Sequence, residues 1–143
     1  MNVLQPTHIP LALYLHVPWC VKKCPYCDFN SHAAGPDGLS DADQAGYLAA
    51  LWQDVQAQQA SAQGRPLRSV FIGGGTPSLV GARHYADFFK KLQHRFALAT
   101  DCEITLEANP GTLEHAPFAA YRDAGVNRLS LGVQSLNDDQ LQR

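Results

Sequence analysis

The sequence alternates short apolar runs of strand character with longer segments of helical character, and this alternation limits the folds open to the chain. The strand-like runs cover residues 11–17, 69–72, 103–106 and 127–133. Strands that alternate with helices form βαβ units, and such units build a parallel sheet with right-handed crossovers. The sequence therefore predicts an α/β fold, either an open doubly wound sheet or part of a parallel β/α barrel of the TIM type.

Apolar residues at helical spacing predict the connecting segments. Helices are predicted over residues 41–62, 82–96 and 114–124, and a fourth begins at Asn137. In the first two helices these residues form a stripe that would pack on the sheet. The stripes consist of Leu48, Leu51, Trp52 and Val55 in the first helix, and of Tyr85, Phe88, Phe89, Leu92 and Phe96 in the second.

The position of Arg143 bears on the organisation of the chain, since the sequence stops just as the fourth helix begins. Four βα units leave one edge of the sheet uncovered, whereas a closed or nearly closed barrel would cover it. We therefore expect residues 1–143 to be the N-terminal part of a larger core domain, truncated after about four βα units.

Composition and charge argue against several classes of function. A net charge of −2 leaves no basic surface for nucleic acid. No apolar run approaches the roughly 18 residues of a transmembrane helix, and the N-terminus lacks the basic region of a secretory signal. Four cysteines in such a chain favour the reducing cytoplasm, where clustered thiols bind metals more often than they form disulfides.

The chemically most specific feature is a Cys-x₃-Cys-x₂-Cys segment after the first predicted strand. It consists of Cys20, Cys24 and Cys27. Iron–sulfur clusters are bound by thiolates, usually four, so three protein ligands leave one iron of a [4Fe–4S] cluster open to another molecule. Zinc with His16 or His32 as a fourth ligand is an alternative, although structural zinc usually uses two separated ligand pairs. Disulfides or inert core cysteines are a further alternative.

Each of the other predicted strands also ends in residues suited to ligand binding. The C-terminal ends of parallel strands meet on one face, so these residues predict a single site. The glycine loop GGGTPS allows close approach of a ligand to the backbone, although by itself it is equally typical of a tight turn. Glu107 could bind ligand hydroxyls, as the acidic residue of a dinucleotide site does, or be a lone solvated carboxylate. The strand-end residues are Gly74, Gly75, Thr76, Glu107 and Gln134.

Three further residues have less specific interpretations. Tyr14 and His16 alternate along the first strand, so both point to the same side of the sheet. They either approach the site or belong to a half-buried core with their polar tips satisfied. Cys102 precedes the third strand, at the end opposite the site, and is predicted to be a small buried residue.

Taken together, these motifs resemble the radical S-adenosylmethionine superfamily, whose hallmark is C-x₃-C-x₂-C after the first barrel strand. Within it, the sequence is similar to the anaerobic coproporphyrinogen III oxidase-like group. The similar segments are YLHVPWCVKKCPYCDFNSH, FIGGGTPS, LEANPGTL and NRLSLGVQSLNDDQLQ, which cover much of the chain. The resemblance implies a partial (β/α)₆ barrel, of which this sequence would hold about four units.

The resemblance also implies roles for individual residues. Cys20, Cys24 and Cys27 match the ligands of the [4Fe–4S] cluster, and the open iron would bind S-adenosylmethionine. The residues that match contacts to S-adenosylmethionine are Tyr14, Tyr26, Gly74, Gly75, Thr76, Glu107 and Gln134.

One position departs from the pattern of coproporphyrinogen III oxidase. That enzyme has a fourth cysteine two residues after the third, and Phe29 occupies the position here. The CDFNSH form resembles the heme chaperone branch of the family, which binds heme and passes it to acceptor proteins. The resemblance thus implies heme or porphyrin, an acceptor protein and a reductant such as flavodoxin or ferredoxin as partners. Porphyrinogen oxidase activity and a non-catalytic iron–sulfur or zinc module are the alternatives.

Overall fold

The computed structural model describes residues 5–110 and 117–142. Within these residues the main sheet has four strands, all parallel, and a second sheet has two. In chain order the strands are β1 (Leu11–Val17), β2 (Trp19–Cys20), β3 (His32–Ala33), β4 (Leu67–Gly74), β5 (Leu98–Ala108) and β6 (Arg128–Leu131). The order of the main sheet is β1-β4-β5-β6, which never reverses. A doubly wound sheet reverses its order at a switch point, so this progression is that of a barrel wall.

Helices connect the strands of the main sheet. Those in the described residues are α1 (Asp41–Ala57), α2 (Gln59–Ala62), α3 (Ala82–Arg95), α4 (Phe118–Ala124) and α5 (Asp138–Leu141), with 3₁₀ turns at Pro6–His8 and Pro77–Leu79. Of the predicted helix 114–124, residues 114–116 lie outside the described residues, and α4 follows the extended Pro117. None of the helices in the described ranges combines the length and apolar character needed to span a membrane.

The first predicted helix is interrupted at Gln58. It begins as a capping box, in which the Ser40 hydroxyl accepts from the Asp43 N–H at 3.1 Å and the Asp43 carboxylate accepts from the Ser40 N–H at 3.2 Å. At the other end, the Gln58 N–H is shared between the carbonyls of Asp54 and Val55, each at 3.2 Å. This tightens the last turn, so the predicted single helix is α1 followed by the short α2.

The core lies between the helices and one face of the main sheet. Alternate strand residues point into it, as the two-residue period of a strand requires. These residues are Leu15, Val17, Val70, Ile72, Ile104 and Leu106, each at most 5% exposed. The predicted stripes of α1 and α3 face the same core, with Leu51, Trp52 and Phe96 less deeply buried than the others. The prediction of helix-to-sheet packing is therefore confirmed.

Cys102 belongs to this core and is 9% exposed, as predicted for a small buried residue. It lies inside β5 rather than before it, because β5 begins at Leu98 and not at residue 103. The early part of β5 escaped prediction because Asp101 and its neighbours are polar, although Leu98 already pairs with Leu67 of β4. Burial, with a smaller contribution from Asp101, raises the pKa of the Cys102 thiol.

Strand ends differ modestly from the predicted bounds. β1 has the bounds predicted for it. β4 runs from Leu67 to Gly74, so the first two glycines of GGGTPS belong to the strand. β6 ends at Leu131, two residues earlier than predicted. The chain therefore leaves the sheet at Gly74 and Leu131, which places the following residues above the sheet edge.

The face of the sheet turned away from the helices is the interior of a barrel, and it carries polar side chains. The register places Tyr14 beside Phe71 and Thr105 beside Arg128. The Arg128 guanidinium is 3.4 Å from the Glu103 carboxylate, and the Thr105 hydroxyl donates to the same carboxylate at 3.2 Å. This face forms a polar floor below the strand ends.

Candidate cofactor site

A cavity of about 800 Å³ opens at the C-terminal ends of the main-sheet strands. It is enclosed by the cysteine loop (residues 20–31), the glycine loop (residues 73–78), the end of β5 and the segment after β6. Nine of the ten residues predicted for the site line it: Cys20, Cys24, Tyr26, Cys27, Gly74, Gly75, Thr76, Glu107 and Gln134. The structure thus brings together residues that lie far apart in the sequence, and their roles as ligands stay predictions.

Tyr14 is the predicted site residue that does not line the cavity. It lies lower on the interior face, where its hydroxyl is 3.1 Å from His16 Nδ1 and its ring stacks on Phe71 with centroids 6.2 Å apart. Tyr14 and His16 therefore share one side of the sheet, as predicted. Partial burial, and secondarily the Glu107 carboxylate, raise the pKa of Tyr14. A molecule in the cavity reaches Tyr14 only by extending down the interior face.

A tight turn shapes the second half of the cysteine loop. The Cys27 N–H donates to the Cys24 carbonyl at 3.1 Å, and Pro25 occupies the second position, where its fixed φ suits such a turn. Cys20 and Cys27 are half-buried and Cys24 is exposed, and all three are free thiols. A hydrogen bond with Cys24 raises the pKa of the exposed Tyr26 hydroxyl. The three sulfur atoms thus border one cavity from a compact loop.

Backbone hydrogen bonds hold the two ends of the cysteine loop together. The His32 N–H donates to the Pro18 carbonyl at 2.6 Å, and the Ala34 N–H donates to the Cys20 carbonyl at 2.8 Å. Both bonds belong to the parallel pairing of β2 with β3. The loop therefore leaves and returns at neighbouring points of the fold.

The glycine loop packs so closely on the cysteine loop that one position excludes a side chain. The Gly75 N–H donates to the Val17 carbonyl at 2.7 Å, and the Thr76 N–H donates to the Trp19 carbonyl at 2.6 Å. A Cβ atom on Gly75 would lie 2.5 Å from the Trp19 carbonyl oxygen and 3.0 Å from the Cys20 sulfur. The sequence predicts a ligand contact at Gly75; the contact that the structure shows is with the backbone leading into Cys20.

Glu107 braces the glycine loop. Its Oε2 accepts a hydrogen bond from the Gly74 N–H at 3.2 Å. Gly74 has a φ of +117°, a conformation that favours glycine. A Cβ atom on Gly73 would lie 2.9 Å from the same carboxylate oxygen. Glu107 is therefore not a lone solvated carboxylate, because it holds the loop while it lines the cavity.

Asn109 is a cavity residue that the sequence analysis missed. Its Nδ2 donates to the hydroxyl of the buried Thr76 at 3.3 Å, which ties the end of β5 to the glycine loop. Its Oδ1 lies 3.0 Å from the point that a Cβ atom on Gly132 would occupy. The chain after β6 therefore passes close to Asn109. Gln134 follows with a left-handed φ of +66°. The available signal was the amide of Asn109 in the EANP segment at a strand end.

Residues 14–143 match the model of the Radical SAM superfamily. The match spans the three clustered cysteines and every strand end that borders the cavity. The chain belongs to the Radical SAM superfamily.

Curated relatives of this superfamily member include heme chaperones. Heme chaperone HemW of Haemophilus influenzae is 51% identical, over 97% of this chain and 36% of the relative. HemW of Escherichia coli K12 is 49% identical, over 94% of this chain and 34% of the relative. Radical S-adenosyl methionine domain-containing protein 1, mitochondrial, of Bos taurus is 42% identical, over 92% of this chain and 28% of the relative. The chain spans about a third of the length of these relatives.

A solved structure of a radical SAM enzyme has the same fold. It is coproporphyrinogen III oxidase HemN from Escherichia coli, with a TM-score of 0.73 and 31% identity, over 95% of this chain and 30% of that one. The prediction of an α/β fold with the parallel sheet of a radical SAM core is confirmed, and the doubly wound alternative is wrong. The predicted membership of the coproporphyrinogen oxidase-like group is confirmed as well.

Membership of the superfamily implies a [4Fe–4S] cluster and S-adenosylmethionine, and the residues present fit the cluster. Three thiols border a single cavity, and thiolates are the ligands that such clusters use. In the described ranges, no three or more His, Cys, Asp or Glu side chains are arranged to bind a single metal ion. A cluster places each thiolate on a different iron, so its ligands stand farther apart than those of one ion.

Proposed function

We propose that residues 1–143 form the N-terminal part of the radical SAM core of a heme chaperone, which binds heme and transfers it to an acceptor protein. The observation that carries the proposal is Phe29, which is 68% exposed and lines the cavity two residues after Cys27. Coproporphyrinogen III oxidase would have a fourth cysteine at this position. The heme chaperones are also more similar in sequence, at 51% and 49% identity, than HemN at 31%.

In this proposal the cluster and S-adenosylmethionine occupy the cavity together. Cys20, Cys24 and Cys27 would hold the cluster as thiolate ligands and would leave it able to bind S-adenosylmethionine. When bound and reduced, the cluster would supply one-electron chemistry to S-adenosylmethionine. The N–H groups of the glycine loop already donate to other parts of the chain. The cofactor would therefore be oriented by the Thr76 hydroxyl, the Glu107 carboxylate and the Gln134 amide, and aromatic rings would exclude water. The residues assigned to it are Tyr14, Tyr26, Gly74, Gly75, Thr76, Glu107 and Gln134.

The partners and setting follow from the same proposal. The cargo is heme or a related porphyrin, the electron comes from a reductant such as flavodoxin or ferredoxin, and an acceptor protein receives the heme. Nucleic acid is not a proposed partner, since the net charge is −2. None of the four cysteines forms a disulfide, and an oxygen-sensitive cluster would need a reducing environment, so both support a cytoplasmic setting.

Heme transfer is the direct test. Full-length protein, reconstituted anaerobically, is expected to bind hemin with a new Soret band and to pass it to an added apo-hemoprotein, seen as replacement of this band by that of the acceptor. Protein that binds no hemin, or that never releases it, would contradict the proposal.

Oxidative decarboxylation is the second candidate function, favoured by the structural match to HemN. With S-adenosylmethionine, a reductant and coproporphyrinogen III, the reconstituted protein is expected to form no protoporphyrinogen IX. Formation of this product would replace the chaperone assignment by an oxidase one.

Analysis of iron and sulfide distinguishes the third candidate, a zinc module. A cluster gives about four iron and four sulfide ions per chain, whereas one zinc and no sulfide would remove the basis for S-adenosylmethionine binding.

A further inference from the structure

Three consecutive backbone carbonyls at the end of the cysteine loop each accept a hydrogen bond from a side chain elsewhere in the chain. The Lys23 ammonium donates to the carbonyls of Phe29 at 3.0 Å and Ser31 at 3.1 Å. The Nε2 atom of His16 is 2.7 Å from the carbonyl of Asn30, which lies between them. Residues 29–31, here called the exit segment, are therefore held by two donors from outside the segment, and within it the Ser31 hydroxyl donates to the Phe29 carbonyl at 3.4 Å.

The proton on His16 can be assigned from its partners. A carbonyl only accepts hydrogen bonds, so Nε2 carries the proton that bonds to Asn30. In the neutral imidazole Nδ1 is then an acceptor, and the Tyr14 hydroxyl at 3.1 Å donates to it. The Tyr47 hydroxyl fixes the same residue from the helix side, since it donates to the His16 carbonyl at 2.6 Å. His16 is thus held in the orientation that the exit segment needs.

The two donors connect the exit segment to different parts of the fold. Lys23 lies inside the cysteine loop, next to Cys24, so its bonds close the loop on itself. His16 lies on β1, so its bond ties the exit segment to the main sheet. Beyond the exit segment, the backbone bonds of His32 and Ala34 take over. The side-chain bonds therefore hold the part of the loop between the turn at Cys27 and the start of β3.

We propose that Lys23 and His16 are positioning residues that form a latch on the exit segment. The latch keeps Phe29 in the cavity wall and holds Cys27 at the cavity. The hydrogen bonds of Lys23 and His16 carry this inference, which does not require that heme be the cargo. Only its consequence for cluster retention rests on the proposed function.

Hydrogen exchange in the full-length, cluster-free protein tests the latch itself. Lys23→Met keeps the length of the side chain but removes the donor, and it is expected to speed exchange of the His32 and Ala34 amides about tenfold. Lys23→Arg retains a donor and should restore most of the protection. Lys22→Met removes the same charge from the neighbouring position, so it should leave these amides close to wild type. Exchange in β4 monitors the integrity of the fold in each variant.

A second pair of variants tests the sheet side of the latch. His16→Leu removes the donor to Asn30, whereas His16→Gln retains an amide N–H at similar reach. Faster exchange of the His32 and Ala34 amides in His16→Leu, with partial recovery in His16→Gln, is expected. Exchange in Lys23→Met equal to wild type, or equal in Lys22→Met and Lys23→Met, would overturn the latch.

Cluster retention tests the consequence for Cys27. In anaerobically reconstituted full-length protein, a chelator is expected to bleach the brown absorbance several-fold faster in Lys23→Met than in wild type or Lys23→Arg. Equal rates in Lys23→Arg and Lys23→Met would overturn the claim that the latch holds Cys27 in place. A wild-type protein that takes up no cluster would contradict the proposed function, while the exchange result still decides whether the latch exists.

Discussion

At the scale of single residues, the shape of the cavity depends on how closely the glycine loop and the cysteine loop approach each other, as well as on the chemistry of the side chains. Gly75 has no room for a side chain, because the Trp19 carbonyl oxygen and the Cys20 sulfur occupy the space next to it. Gly75→Ala is expected to push the cysteine loop away from the glycine loop. We predict a loss of about 1–3 kcal/mol in the free energy of unfolding, measured by urea denaturation, together with weaker cluster retention.

Gly46 provides the control for this substitution. It lies inside α1, and a Cβ atom there would meet nothing within 4 Å. Gly46→Ala should therefore stabilise the protein by about 0.5–1 kcal/mol through the better helix propensity of alanine. Equal effects of the two substitutions would show that the close approach at Gly75 does not constrain the loop.

Cys24 offers a second test at this scale, since it is exposed and its removal leaves the core intact. Cys24→Ala is expected to abolish the brown absorbance of the reconstituted protein, because it removes one of the three proposed thiolate ligands. Cys102→Ala is the matched control: this cysteine is buried in the core, so its loss should lower stability slightly and leave the absorbance unchanged. A Cys24→Ala protein with the wild-type spectrum would remove Cys24 from the ligand set.

Residue-scale prediction from the sequence succeeded where a residue type and its spacing carry the chemistry. The three cysteines and Glu107 were placed at strand ends by pattern alone, and all four line the cavity. The EANP segment places Asn109 at a strand end, but its role was missed because the bond to Thr76 joins two strand ends that are distant in the sequence.

At the scale of elements, one buried side chain ties α4 to the end of the glycine loop and to the residues just after it. The Tyr121 hydroxyl donates to the carbonyls of Ser78 at 2.8 Å and Val80 at 3.0 Å. The residue is 1% exposed. Because burial disfavours the phenolate, it raises the pKa of Tyr121 to about 12.

This raised pKa predicts how stability depends on alkaline pH. The folded state favours neutral Tyr121. Its contribution to the free energy of unfolding is therefore fully present below pH 10 and is lost as the pH rises from about 10 through about 12. Tyr121→Phe should cost about 1–2 kcal/mol near neutral pH through the lost hydrogen bonds, and should flatten the fall in stability within that window. Denaturation at a series of pH values measures both, and an unchanged slope would exclude Tyr121 as the titrating group.

Element prediction was limited by contacts between distant segments. The bounds of β1 follow from its own run of apolar residues and were predicted correctly. The break at Gln58 and the early start of β5 at Leu98 depend on backbone bonds and on pairing with β4, which composition does not reveal. Local propensity places the elements, and tertiary pairing sets their ends.

At the scale of the whole molecule, the cavity exists because four successive parallel strands end on the same side. Their order without reversal was not determined by the sequence pattern, which was equally compatible with a doubly wound sheet. The register, which pairs Tyr14 with Phe71, places Tyr14 on the interior face below the cavity rather than on its wall. The depth at which a residue lies depends on the register between strands, which is a property of the assembled sheet.

Binding of S-adenosylmethionine should therefore be linked to the stability of the whole protein. If the cofactor binds at an open iron held by the cysteine loop, it binds only the folded, cluster-loaded state. At a concentration a hundredfold above its Kd it is expected to stabilise reconstituted full-length protein by about 2.7 kcal/mol, seen as a rise in Tm under anaerobic conditions. Cys24→Ala, which lacks the open iron, should show a much smaller rise at the same concentration. Equal rises in the two proteins would mean that the cavity binds S-adenosylmethionine without the cluster, through the strand-end residues alone.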